Sequence, residues 1–409
     1  MKSVKKCDVI VVGAGPVGLT AVLALQKKGI SCVIIEAEPK GRPRPGSRAI
    51  YLHSATLKLL EETSKGLGFE LAKNGIIWPV KRTFYKGKEV YVKNYGVTNN
   101  QDPNILPHFT ALHQDQIEKH VYNACIQAGV RFVWGAPVAK LNIEDNGVTL
   151  ITESGEVWEA KYIIGADGAR SVVREQAGLK LEGPRTNDTF LVVDVKEDEE
   201  NPLPLERIFH YHHPAMGRRN VMLVPFKGGW RVDLQLFEDD DVEEFTNIEG
   251  VKRWLSKVMD PKYAESITWV SSYRFHQVVA NSFTDEKHRV LLAGEAAHLF
   301  APFGARGLNS GVPDAIIAVR GIEKALRADI EEIRREAIGA SATERRIAAR
   351  WNRDGSTTAL QHLQGGEKEI DMKRAVAASL TSIVPRLGRW LDEGPYGPKF
   401  GPPELTTKY

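Results

Sequence analysis

Cysteine is scarce in this chain. Cys7, Cys32 and Cys125 are the only three among 409 residues, an odd number without CxxC spacing. That argues against a disulfide framework and a thiolate zinc site, which need paired or clustered thiols, so reduced cysteines and no metal site are expected. Long apolar runs are missing as well, and none approaches the ~20 residues a membrane helix needs. The apolar stretch behind Met1-Lys2-Ser3-Val4-Lys5-Lys6 is interrupted by Gly13, Gly15, Pro16 and Gly18, which suits a strand, turn and helix better than a signal peptide. Charge of one sign is also lacking: 55 basic against 52 acidic residues leave a net +3, too little to gather phosphate backbones. Thr407-Lys408-Tyr409 matches no address signal. These absences predict a cytoplasmic protein, monomer or homodimer, with neither nucleic acid nor membrane as partner.

What is present is an ordinary globular balance, 42% hydrophobic, in a chain long enough for two or three packed subregions. Residues 8–12 form a β-rich run, 16–28 a helix with apolar faces, and 32–35 a second buried strand, together a βαβ unit. A helix carrying Leu52, Leu57, Leu59 and Leu60 follows a Pro/Gly/Arg-rich loop. Extended segments over 76–92, a helix over 115–128, a meander over 138–157 and a buried strand over 161–165 come next. Between 186 and 273 the pattern becomes alternating strands, 189–195, 207–213, 220–226 and 230–237, then an amphipathic helix over 251–258. A buried strand at 289–293 leads through a glycine-rich loop into a helix passing Ala325. Residues 331–391 read as charged helices, and the tail from Gly394 as irregular.

Gly13-Ala14-Gly15-Pro16-Val17-Gly18 lies between the first strand and its helix, and Glu36 ends the next strand. Gly13 permits the tight turn, Gly15 lets backbone approach a pyrophosphate, and Gly18 allows close helix–strand packing. The helix N-terminus, where Pro16 and Val17 sit, attracts the negative charge, and Glu36 is placed to accept bonds from ribose hydroxyls. The motif alone leaves FAD and NAD(P) both open.

Two later segments narrow the choice. Gly165-Ala166-Asp167-Gly168 follows a buried strand, with Arg174 one helical turn further on. Gly294-Glu295-Ala296-Ala297-His298 follows another, and Pro302-Phe303-Gly304-Ala305-Arg306-Gly307-Leu308-Asn309 comes after it. With these three motifs in this order, residues 8–325 resemble the para-hydroxybenzoate hydroxylase family of FAD-dependent aromatic monooxygenases. The resemblance implies an α/β fold: a glutathione-reductase-type FAD-binding Rossmann domain (1–75, 108–185 and 276–330), an inserted antiparallel-sheet substrate domain (76–107 and 186–275) and C-terminal helices with an irregular tail (331–409). It implies that Glu295 holds the FAD ribitol, that Pro302, Gly307, Leu308 and Asn309 wrap the isoalloxazine ring, and that Arg48 and Gln114 contact the cofactor, Gln116 being the alternative to Gln114. Val138 matches the position whose backbone meets adenine in the family, and Asp167 belongs to the motif that in the family serves both FAD and NAD(P)H. His298 is expected to support its loop.

Some positions depart from the family pattern. Glu295 stands where aspartate is usual, Ala301 where a second proline is frequent, and Ala305-Arg306 in place of Gly-Gln. Pro313 lacks an N–H and is expected in the first turn of its helix. The implied reaction uses NAD(P)H and O2 to hydroxylate an aromatic or phenolic small molecule through a C4a-hydroperoxyflavin, the protein supplying a dry pocket. Alternating side chains put His210 and His212 on one strand face, and Arg231, Asp233 and Gln235 on one face of the last strand. His210, His212, Arg231 and Gln235 are therefore substrate candidates, with a histidine as base, and the resemblance implies that Pro302 matches the family proline whose backbone lies beside the reacting ring. Halogenases, epoxidases and reductases share such a fold, but Gly229-Trp230-Arg231-Val232 does not match the W-x-W-x-I-P halogenase signature, and the C-terminal helices offer no hydrophobic anchor. A flavin-binding redox protein without turnover would carry the same motifs.

Overall fold

A computed structural model describes residues 4–41, 51–96, 104–364 and 368–397. Its centre is a parallel sheet in the order Val290–Leu292, Tyr162–Gly165, Val9–Val12, Cys32–Ile35, Phe132–Val133. Val9-Ile10-Val11-Val12 is almost wholly inaccessible, as a strand covered on both faces requires. The helices Pro16–Lys27, Gln114–Gln127 and Arg306–Arg327 pack together beside it. A smaller sheet, Lys5–Lys6, Val157–Ala160, Gly147–Thr152 and Val138–Glu144, adds Leu141, Val148, Leu150 and Trp158 to the same core. Pro16 opens its helix at the first position, where a missing N–H costs nothing.

The second layer is a seven-stranded sheet drawn from two parts of the chain: Ile267–His276, Arg185–Lys196, Gly229–Gln235, Val221–Phe226, Glu206–Tyr211, Val80–Tyr85, Lys88–Asn94. It is antiparallel except where the two parts meet, since Glu206–Tyr211 runs parallel to Val80–Tyr85. No hairpin joins those strands, so nothing local dictates their relative direction. One face, with Leu191, Val193, Val232 and Leu234, is covered by the helix Ile248–Leu255. The other carries Phe190, Phe209, Tyr211 and Phe275 and packs on Phe303 and on Leu360, Leu363 and Leu391 of the C-terminal helices Glu331–Gln364 and Pro385–Glu393.

Three local expectations are corrected. Leu52 lies on a strand, Tyr51–His53, paired with Phe109–Ala111, and its helix begins only at Ser54. The strand Ile267–His276 falls where no strand was read. Pro313 is the eighth residue of Arg306–Arg327, not in its first turn. The helix starts earlier because Ala305 turns left-handed, φ 54°, and the proline leaves the Asn309 carbonyl without its intrahelical partner. No helix among the described residues is long and apolar enough to cross a membrane.

Candidate cofactor and substrate site

The 13–18 loop is shaped by close backbone approaches. Gly13 has φ 98°, and a Cβ there would lie 2.9 Å from the Asp167 Cα, so the first motif passes directly under the second. A Cβ on Gly18 would strike the Gly13 carbonyl, whose carbon is 3.1 Å away. Gly15 differs: a Cβ on it would meet nothing within 4 Å, and no side chain caps the helix that starts after it. Open space beside an uncapped helix N-terminus is what a pyrophosphate needs. Glu36, 8% exposed, closes the mouth by accepting the Ala14 N–H at 2.6 Å and the Glu38 N–H at 3.0 Å. Those bonds fix a carboxylate at the tip of the second strand. Val17 has a packing role, since a Cβ on Gly294 would meet its Cγ2 at 2.9 Å.

The Asp167 carboxyl accepts the Ser171 hydroxyl and, at 3.0 Å, the Val173 N–H, while Ser171 accepts the Arg174 N–H at 2.9 Å. The side chain therefore caps its own helix, Val172–Gln176. Burial pushes the Asp167 pKa up, against those hydrogen bonds. Arg174 is buried and donates to the carbonyls of Ala296 and Ala169, both at 3.1 Å, bracing the second motif against the third.

In the third motif Glu295 is exposed, and Gly294 donates its N–H to Asp314 at 3.1 Å. Asp314 is buried, with His298 Nε2 at 2.7 Å and Arg345 Nε at 2.7 Å. Burial works to raise its pKa, and Arg345 and His298 outweigh it, holding the carboxyl below the usual range. His298 also stacks on Phe300, centroids 4.4 Å apart, so it supports the loop. Pro302 and Gly307 are exposed, and Leu308 is half-buried. Arg306, Gly307 and Leu308 occupy the first turn of a helix with no side-chain cap, where amides lack i−4 partners. The Asn309 side chain is fully engaged: it accepts from the His53 N–H at 3.0 Å and Thr56 Oγ1 at 2.6 Å, and donates to the carbonyls of Tyr51 and Ala305, both at 2.8 Å. Its amide group clamps the loop to the Tyr51–His53 strand. Arg306 turns to Asn352 Oδ1 at 3.0 Å and the Tyr396 carbonyl at 2.9 Å, tying the loop to the C-terminal segment. Gln114 begins its helix and donates to Glu118 at 2.9 Å, while Gln116 bonds Asp115 at 3.2 Å. Val138 is half-buried at the start of its strand. Arg48 lies outside the described residues.

Two contacts between the sheet and this layer stand out among the described residues. Phe303 meets Phe190 and Phe275, each with centroids 5.4 Å away. At the other point Arg231 grips Asp194 with two bonds of 2.9 and 3.1 Å, and His113 Nε2 reaches Asp194 at 3.2 Å while its Nδ1 meets Asp115 at 2.7 Å. Burial opposes charge on His113, but the bonds to Asp115 and Asp194 prevail and raise its pKa to about 9. The motif search missed His113. Its signal was the position directly before the Gln114 helix, two residues from Asp115. Arg231 is thus a link between layers, and Gln235 Oε1 accepts the Asn220 N–H at 3.2 Å.

The two histidine candidates are corrected. The strand ends at Tyr211, with Arg207, Phe209 and Tyr211 on the inner face, so His210 points outward and stacks on Phe84 at 4.6 Å. Burial, then His213, lowers its pKa to about 4. His212 lies past the strand with φ 51°, its Nδ1 3.0 Å from the Arg218 carbonyl. Neither faces the 302–309 loop. Sequence reasoning also missed an aromatic group next to that loop: Tyr51 stacks on Phe109 at 4.7 Å, and Trp78 lies 4.3 Å from Phe109.

A βαβ pyrophosphate turn, an acidic strand end, and two further loops converging on the same seam define a dinucleotide-binding flavoprotein. The chain belongs to the family described as FAD binding domain, which matches residues 6–351. Para-nitrophenol 4-monooxygenase of Pseudomonas sp. (strain WBC-3) is 30% identical over 316 residues, 75% of this chain and 75% of that protein. Pentachlorophenol 4-monooxygenase of Sphingobium chlorophenolicum is 26% identical over 322 residues, 75% of this chain but only 56% of that protein. In fold, the crystal structure of p-nitrophenol 4-monooxygenase from Pseudomonas putida is similar, with TM-score 0.75 at 23% identity, covering 97% of this chain and all of that one. The chain is a flavin-dependent monooxygenase of the para-hydroxybenzoate hydroxylase group.

Proposed function

We propose that the protein hydroxylates a phenolic or other activated aromatic small molecule, using NAD(P)H as electron donor and O2 as oxygen source. One observation carries this reading: the flavin loop, through Phe303, packs on the inner face of the seven-stranded sheet, a face bearing Phe190, Phe275, Arg231, Asp233 and Gln235. Bound FAD supplies reduction by NAD(P)H and activation of O2. The chain supplies everything else. Gly13, Gly15, Gly18 and the Pro16–Lys27 N-terminus would hold the pyrophosphate, and Glu36 would take the adenosine ribose. Glu295 would hold the ribitol, and the first-turn amides of Arg306, Gly307 and Leu308 would stabilise negative charge on the reduced flavin. Phe190, Phe275 and Phe303 exclude water from the reacting side. The relatives' names, nitrophenol and pentachlorophenol monooxygenases, support a phenol.

The experiment is a screen of phenols and other aromatics for stimulated NAD(P)H oxidation by the FAD-loaded protein, with labelled O2. The expected product gains one labelled oxygen per NAD(P)H consumed. A protein that binds FAD but oxidises NAD(P)H at the same rate with every aromatic, without product, would refute the proposal.

A further inference from the structure

Asp233 sits at the middle of the inner face of the seven-stranded sheet. It pairs with Val192 on one side and Met222 on the other, both uncharged. Two residues before it, Arg231 closes on Asp194, which His113 also reaches, the contact with the cofactor layer at one end. Two residues after it, Gln235 pairs with Phe190, which packs on Phe303 of the flavin loop, the contact at the other end. Strand geometry spaces these positions ~7 Å apart, so Asp233 faces the interval between the two anchor points. Its Oδ1 is buried and has no hydrogen-bond partner among the described residues, while its neighbours on that strand face are both engaged.

An unpartnered buried carboxylate oxygen costs about 1–3 kcal/mol or more to keep, so a fold retains one where something else completes it. The charged groups facing it are Arg231 on its own strand and Asp194 on the next, and Asp194 is already saturated by Arg231 and His113. Burial pushes the Asp233 pKa up to about 7, with Arg231 pulling down and Asp194 pushing up. A group with that value exchanges protons at neutral pH, as a general base should.

We propose that Asp233 is the substrate-contacting base of the site: its Oδ1 accepts the hydrogen bond, and then the proton, of the phenolic hydroxyl to be activated. The O–H bond of the phenol breaks, the proton passes to Oδ1, and the electron pair remains on the oxygen as phenolate, enriching the ring carbons ortho and para to it. When product leaves, Asp233 returns the proton to solvent. The assignment rests on the hydroxylase reading above, and it gives Asp233 the role that the orientation of His210 and His212 denies them.

The test compares FAD-loaded wild type with Asp233→Asn and Asp233→Ala, using 4-nitrophenol and its methyl ether as probes. Bound 4-nitrophenol is titrated by its phenolate absorbance across neutral pH, and kcat and KM are measured with the phenol that best stimulates wild type. Asp233→Asn should keep FAD, melt no lower than wild type and bind the ether as wild type does. It should bind 4-nitrophenol without promoting its ionisation, lose kcat by ~100-fold or more, and lose the acidic limb near pH 7. Unchanged ionisation of the bound phenol and unchanged kcat in both variants would overturn the assignment while leaving the hydroxylase reading intact. If no phenol binds or stimulates wild type, the hydroxylase reading falls first and this one with it.

Discussion

The clearest separation between folding and cofactor binding lies within one loop, in the substitutions Gly15→Ala and Gly18→Ala. A Cβ at Gly15 meets nothing within 4 Å, and the residue has φ −75°, which alanine adopts without strain. Reduced freedom of the unfolded chain favours alanine by ~0.4–1 kcal/mol, and loss of a good N-cap residue disfavours it by a similar few tenths to ~1 kcal/mol. The protein without FAD should therefore melt at the wild-type temperature. The new methyl group, however, occupies the space in front of an uncapped helix N-terminus. Displacing a pyrophosphate from direct contact there should weaken FAD by ~10- to 100-fold, about 1.4–2.8 kcal/mol. Gly18→Ala is the opposite case, because its Cβ would strike the backbone carbonyl of Gly13, which cannot move without shifting the turn. Overpacking of this kind costs ~1–3 kcal/mol or more, so that variant should be less stable with or without FAD. Flavin titration by fluorescence together with thermal melts of both forms is the assay. If Gly15→Ala bound FAD as tightly as wild type, the pyrophosphate would not lie where the first motif places it.

Other consequences follow from the interface and the outer face. His113 has a folded pKa of about 9, above its unfolded value of ~6.5. Its stabilisation is therefore complete below the unfolded value and is lost as pH rises through about 9. Melting temperature should fall over that window more steeply in wild type than in His113→Gln, and parallel curves would show the imidazole uncharged. Asp314→Asn leaves Arg345 buried without its counter-charge and should destabilise by ~3–5 kcal/mol in denaturant unfolding; a midpoint equal to wild type would remove Asp314 as the clamp of the third motif. His210→Ala should cost its ring contacts with Phe84 and His213, ~0.5–1.5 kcal/mol each, and leave kcat/KM for the best phenol within about twofold. A large kinetic loss there would return His210 to the pocket.

The cofactor half of the fold was legible because its signals are local. A buried strand, a glycine turn and an acidic strand end occupy residues 9–36 without a break, and the backbone approaches at Gly13 and Gly18 explain why glycine is needed there. The substrate half was less legible, because its decisive facts are non-local. Alternation correctly separated His210 from Tyr211, but period two does not say which side is inside, and a wrong choice inverts every residue of a strand. The inner side was set by Phe209 and Tyr211 packing on Leu363 and Leu391, more than 150 positions away. Tyr51–His53 is a strand only because Phe109–Ala111 lies beside it, and Pro313 is tolerated mid-helix although its ring forbids one bond.

Within the cofactor half, a few side chains hold the three motifs to one another. Val17 wedges the first motif against Gly294 of the third, Arg174 ties the second to the carbonyl of Ala296, and Asp314 holds the Gly294 amide while gripping Arg345 of the C-terminal helix. The three motifs are bound to one another through their own residues. Their fixed order along the chain thus records a packed unit that stands ready for FAD. The same logic extends outward through Arg306, which carries the flavin loop to Asn352 and the Tyr396 carbonyl. A glutamine is shorter and uncharged, and could not span that gap in the same way. The departure from the family's Gly-Gln at this point therefore has a structural meaning: here the C-terminal segment is fastened directly to the 302–309 loop.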